Sequence, residues 1–162
     1  MIKPQSLRQH LLAAIPALDH DPERLLIFVE GGTLASTYQP GLSFEYRYTL
    51  EVIITDFRSA PEAVMVPLMQ WLTRHQPELL AAPGKRDQVG FEVDVLAGDL
   101  VDLSIKLPLT ERVVVTRDAN DLLQLRHVGE PATDDAHRDT LRGGELHNGA
   151  ALLAKLPAIA HE

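Results

Sequence analysis

Few residues in this 162-residue chain have the type and spacing to do chemistry. The stretch Glu30 to Thr37, EGGTLAST, sets Thr33 beside two glycines. A threonine hydroxyl on a glycine turn can act as a nucleophile when a second threonine, an aspartate and a lysine activate it. A second set is the histidines: His10, His20, His75, His127, His137, His147 and His161. None stands three or four residues from another, so no helix face carries a pair of metal ligands. His137 and His147 share a segment with Asp134, Asp135, Asp139 and Glu145, which reads as a solvated tail rather than a ligand set. The third set is acidic: Glu45 and Glu51, then Glu92, Asp94 and Asp102, spaced along alternating patterns. Facing carboxylates can do acid and base work. Here they read better as the solvent face of an antiparallel sheet, with Arg47 and Lys106 as cross-strand partners, or as part of a protein interface.

The EGGTLAST stretch is similar to the Thr-Gly-Gly-Thr-Ile-Ala signature of bacterial-type asparaginases. The activating partners are not in evidence, because no Thr-Asp-Thr segment follows. A tight hairpin turn at Gly31 and Gly32 is the simpler reading, since glycine tolerates positive φ. A small hydrolase using this turn is kept only as an alternative. The sequence therefore nominates no catalytic, cofactor-binding or metal-binding residue.

The totals set further limits. Lys and Arg number 15 against 23 Asp and Glu, leaving a net charge of -8, which offers no basic face for nucleic acid. There is no cysteine, so disulfides and thiolate metal sites are excluded. The N-terminal apolar patch is interrupted by Arg8, Gln9, His10 and Pro16, a poor fit to a signal peptide. No window approaches a membrane span. The chain reads as a soluble protein of the cytoplasm.

The elements that would position these residues follow from periodicity. Ser6 is placed to cap a short helix bearing Leu7, Leu11, Leu12 and Ile15. Leu25 to Glu30 reads as a strand, with Thr33 to Thr37 returning after the glycine turn and Gln39-Pro40-Gly41 making the next turn. From Leu42 to Thr55 apolar residues fall at every second position, which predicts a two-faced strand of unusual length. At about 3.3 Å per residue it would run roughly 46 Å. After Pro61 the spacing changes to three and four, predicting a helix through Trp71 that contains Pro67. Phe91 to Val95 and Val101 to Leu107 form a hairpin pattern, and Glu111 to Arg117 with Leu122 to Arg126 form another. Residues 129–162 read as an extended or partly disordered tail, with a short helix at 150–156. The expected fold is α+β: a 1–128 domain with one mainly antiparallel sheet, two helices on one face and a long protruding strand or hairpin.

In order and spacing, the segments LSFEYRYTLEVIITDF, then WLTRHQPELL, then FEVDVLAGDLVDLSIKLPLTERVVV, within a stretch running from about Ser6 to His127, resemble the tail completion protein R (GpR) family of contractile-tailed temperate phages and prophages. The resemblance implies a virion assembly protein with no enzymatic activity, acting at the head-proximal end of the tail. By likeness to tail terminators it implies an oligomeric ring, commonly a hexamer, capping the tail tube. The tube protein, and beyond it the sheath protein and the head–tail connector, would be its partners. DNA would pass through the ring without specific binding, and no membrane is involved. A head–tail joining adaptor that does not stop tube growth is the alternative within this class. In a head-to-tail ring each subunit needs two different complementary surfaces. A strand that outruns its own sheet could supply one by edge pairing. Phe44, Glu45, Tyr46, Arg47 and Tyr48 are the subunit-interface candidates on that ground.

Overall fold

The long alternating stretch forms a strand, β2, from Phe44 to Phe57, in the computed structural model, which describes residues 1–36, 41–131, 137 and 139–160. Ahead of it come helix α1 (Lys3–Ala14), the short helix α2 (Pro16–His20), one 3-10 turn (Pro22–Arg24) and strand β1 (Leu25–Ala35). After it come α3 (Glu62–His75), the single turn α4 (Glu78–Ala81), β3 (Gly90–Val95), β4 (Val101–Arg117) and β5 (Leu123–Val128). Strands β6 (Gly144–Asn148) and β7 (Ala151–Leu156) close the described chain. The fold is α+β, with four α-helices among the described residues where two were expected. The main sheet has the order β1-β2-β4-β3, with β5 also on β4, and these pairings are all antiparallel.

One face of the sheet carries the core. Leu50, Val52 and Ile54 of β2 line up with Leu107, Ile105 and Leu103 of β4, and all are buried. Leu7 and Leu11 of α1 and Leu68, Trp71 and Leu72 of α3 cover that face. Each such side chain contributes about 1.5–3 kcal/mol of apolar transfer, so this layer is the main stabilising element. Trp71 is fully buried, and its indole N–H donates to the Ser6 hydroxyl at 3.1 Å. Ser6 therefore serves the core from inside α1 rather than capping it. His75 stacks on the Trp71 ring at 4.7 Å.

Several expectations are corrected. The glycine pair makes no turn: β1 runs straight through it, paired with β2 from Leu25 to Ala35 and shifted in register between Val29 and Gly31. Gly32 is needed for close approach instead. A Cβ there would lie 2.7 Å from the Arg47 carbonyl oxygen and 2.8 Å from Tyr48 Cβ, whereas one on Gly31 would meet nothing within 4 Å. The two strands read around Pro108 are one strand, β4. Pro108 sits between the end of β3 pairing at Lys106 and the start of β5 pairing at Arg112. Its missing N–H falls where β4 has no strand neighbour on that side, which is where a strand tolerates proline.

The expected helix at 150–156 is instead strand β7. Gly149, at φ 59°, opens the two-residue loop Gly149-Ala150 that folds β7 back on β6. Ala154 is buried, and the Gln70 amide donates to the Pro157 carbonyl at 3.1 Å, so this hairpin is held against α3. Thr37 and the turn read at Gln39 and Pro40 lie outside the described residues, as do Asp134, Asp135 and His161.

The two glycines separate the strand reading from the turn reading. Gly32→Ala should lower unfolding free energy by about 1–3 kcal/mol through overpacking. Gly31→Ala should stay within about 0.5 kcal/mol of the parent. Equal losses in denaturant titrations would mean that the glycines serve a turn.

Candidate functional site

The segments that carried the family resemblance converge on one buried polar cluster. Tyr48 comes from β2, Gln76 from the end of α3, and Glu111 from β4, close to the first residues of α1. Helix α1 has no side-chain cap of its own. Glu111 supplies one from 108 residues away: its carboxylate accepts the Ile2 amide at 2.7 Å and the Lys3 amide at 3.2 Å. An anion at that end also complements the helix dipole. The same carboxylate accepts the Tyr48 hydroxyl at 2.5 Å and lies 3.5 Å from His127 Nδ1. Burial first, and then the Glu111 hydrogen bond and charge, push the Tyr48 phenol well above its ordinary value, so it stays protonated and donates.

Gln76 closes the gap in β4. Its side-chain oxygen accepts the Thr110 amide at 3.2 Å, and its amide donates to the Thr110 hydroxyl at 3.1 Å and to Glu78. Thr110 lies in the stretch where β4 has lost β3 and not yet met β5. A glutamine there satisfies a backbone donor that would otherwise be orphaned. Lys3 ties the group together, donating to Gln76 at 2.7 Å and to Glu130 at 2.9 Å. With its acceptors committed to internal donors, the cluster's chemistry is that of a clasp holding α1, α3 and β4 together. His75 sits beside it, and burial, followed by the positive charge of Arg74, Lys3 and His10, pushes its imidazole down to about 4.

The interface candidates divide between three places. Tyr48 is 6% exposed and belongs to the clasp. Phe44 and Tyr46 are half-buried on the helix side of the sheet, edge to face at 4.9 Å. Glu45 and Arg47 point to the opposite face, joined by an ion pair of 2.7 Å. The backbone of this segment is paired on both sides, to β1 from Gly32 to Ala35 and to β4 from Leu109 to Val113. The idea that β2 outruns its sheet is therefore corrected: β2 is an inner strand and cannot pair with a neighbour's edge. The long free edge of the sheet is β1, with Leu26 and Phe28 exposed on it.

Around Phe44 and Tyr46, sequence reasoning missed the residues that complete an apolar surface. Leu34 stands opposite Tyr46, and the β4–β5 hairpin beyond brings Leu125 and Leu123 to the same side of the sheet. They are 68%, 62% and 51% exposed. The helices do not cover this end of the sheet. The signal was present as leucines in LLQL beside a turn, but exposure is invisible to periodicity. Thr33, the nucleophile candidate, is an exposed strand residue opposite Arg47, not a turn residue.

Comparison with known proteins places these features in a family. The family model described as P2 phage tail completion protein R (GpR) matches residues 1–131. Tail completion protein R of Escherichia phage P2 is 36% identical over 156 residues, covering 96% of this chain and 98% of that protein. No solved structure matches.

Two measurements test the clasp. Tyr48→Phe should cost about 1.5–3 kcal/mol, the usual worth of a hydrogen bond to a charged group. It should also couple to Glu111→Gln by about 1 kcal/mol in a double-mutant cycle. Additive losses would show that the bond contributes nothing. His75 stays neutral in the folded protein below the pH at which it protonates when unfolded. Stability should therefore fall as pH drops from 6.5 towards 4. His75→Phe keeps the stacking on Trp71 and should lose less melting temperature across that window. An identical loss would mean that His75 carries no part of the acid sensitivity.

Proposed function

The chain belongs to the P2 phage tail completion protein R (GpR) family, a family of phage tail structural proteins, and from that membership we propose that it completes the tail at its head-proximal end. The observation that carries the reading is the near-full-length match to the P2 protein. In this reading the protein is a structural component of the virion tail, made and assembled in the host cytoplasm. It forms a ring on the last tube ring, stops tube growth and prepares the surface to which the head is joined. The sheath protein and the head–tail connector are its further neighbours.

The bare apolar end of the sheet supports an assembly role. Exposed leucines beside half-buried aromatics are what a docking surface presents before it is covered. Leu34, Phe44, Tyr46, Leu123 and Leu125 are the contacts assigned to the ring or tube; Phe44 and Tyr46 make theirs through side chains because the backbone of β2 is already paired on both sides. The net charge of -8 supports passage of DNA through such a ring, since phosphates meet few counter-charges.

Electron microscopy of lysates lacking the gene tests the role. Overlong, headless tails are expected. Tails of normal length that fail to join heads would indicate joining without termination, and normal virions would overturn any role in the tail. Leu123→Ser combined with Leu125→Ser should leave folding nearly unchanged, since both side chains are exposed. That variant should fail to rescue the deletion, and full rescue would remove the hairpin from the contact surface.

A further inference from the structure

The face of the sheet turned away from the helices is divided by charge along the strands. At one end Glu92 and Asp94 of β3 stand opposite Ser104 and Asp102 of β4, with Glu51 and Glu30 close by. Lys106 is the cation among them, already paired to Glu30 at 2.8 Å. Leu26 and Phe28 of β1 border this end, both exposed. At the other end Arg47, Arg112 and Arg126 share the same face, with Glu45 among them and Glu78 and Glu130 lining a cavity beside Arg112. Arg112 and Arg126 make no ion pair among the described residues. Between the two ends lie the small side chains of Gly31, Thr49 and Pro108 in one row, with Thr33 and Thr110 flanking Arg47 in the next, where the basic end begins. A depression of about 360 Å³ at the basic end is lined by Ser43, Phe44, Glu45, Arg47 and Arg112.

We propose that this face binds a second copy of the chain, face to face and antiparallel, so that the acidic end of each copy meets the basic end of the other. The arrangement is self-complementary: a two-fold axis through the small-residue middle satisfies both ends at once. Twelve residue steps from Asp102 to Val114 make the face about 40 Å long, and three strand spacings make it about 14 Å wide. That is roughly 560 Å² per copy and about 1,100 Å² in all, within the range of a specific but modest interface. The overall charge of -8 opposes association of two copies. At physiological salt the Debye length is about 8 Å, so this long-range repulsion is largely screened while contacting pairs are not. The apolar side assigned to the tail is left free, so this contact is independent of the tail role.

Charge reversal at each end tests the proposal on the full chain. The variant Arg112→Glu with Arg126→Glu has carboxylates at both ends of the face, with Arg47 and Lys106 retained; Glu92→Lys with Asp94→Lys has a more basic face. In sedimentation velocity at physiological salt, each variant alone should self-associate at least about tenfold more weakly than the parent. An equimolar mixture of the two should form a mixed dimer, and one chain carrying all four changes should dimerise with itself. Raising the salt should weaken every one of these complexes. A mixture that sediments as separate monomers overturns the proposal, as does parent association indifferent to both reversals. Because all the altered side chains are exposed, circular dichroism of each variant should match the parent. The tail phenotype of the gene deletion is unaffected by either outcome, so failure here and failure of the tail role are separable.

Discussion

A carboxylate in a protein interior survives only if donors surround it, and Glu111 is placed where it organises everything near it. It is 4% exposed, yet it meets two helix amides, a phenol and a histidine ring. The donors come from the start of α1 and from the inner strand β2, with the His127 ring of β5 beside them at 3.5 Å. Their convergence fixes how the N-terminal helix enters the core, one alternation before the buried face of β4 ends at Val113. Gln76 does the corresponding work for the backbone of β4, where the strand changes neighbours at Thr110. Together they turn a long strand, which would have an unsatisfied stretch in its middle, into the axis of the fold.

From that axis the sheet acquires two different ends. On the side of Leu50, Val52, Ile105 and Leu107, helices α1 and α3 exclude water. Past Glu111 the helices end and the β4–β5 hairpin continues, bearing apolar side chains that nothing described in the subunit covers. A monomer gains little from such a surface, whereas a subunit of an assembly needs one. The opposite face is largely polar, with Glu51, Glu92, Asp94 and Asp102 towards one end and Arg47, Arg112 and Arg126 towards the other. One sheet thus carries a covered core region, a bare apolar end and a charged outer face.

Much of this was legible locally. The alternation in β2 and the three-four spacing in α3 were both correct, because each reports which face of an element is dry. The hairpins read across Phe91 to Leu107 and across Glu111 to Arg126 match the pairings of β3 with β4 and of β4 with β5. The misreadings share a physical cause. Gly31 and Gly32 looked like a turn because glycine permits one, but the demand on Gly32 comes from Tyr48 across the sheet. Ala150 to Leu156 looked helical from its short apolar run, yet a two-residue loop after Asn148 made it the second half of a hairpin. The length of β2 suggested a strand leaving its sheet, but β1 and β4 are long enough to flank nearly all of it.

By itself, then, the sequence determined most of the elements, the buried face of each and the family, because these follow from residue types and from spacing along the chain. Only the tertiary structure decided which strand lies at the edge, what a buried glutamate is for, and which leucines are bare. Those depend on partners distant in sequence, as with Glu111 and the first amides of α1, and no local period encodes them. The candidate segment Phe44 to Tyr48 shows both parts. Its composition marked it out correctly as two-faced, and folding then assigned Tyr48 to the clasp, Phe44 and Tyr46 to the apolar end, and Glu45 and Arg47 to the charged face.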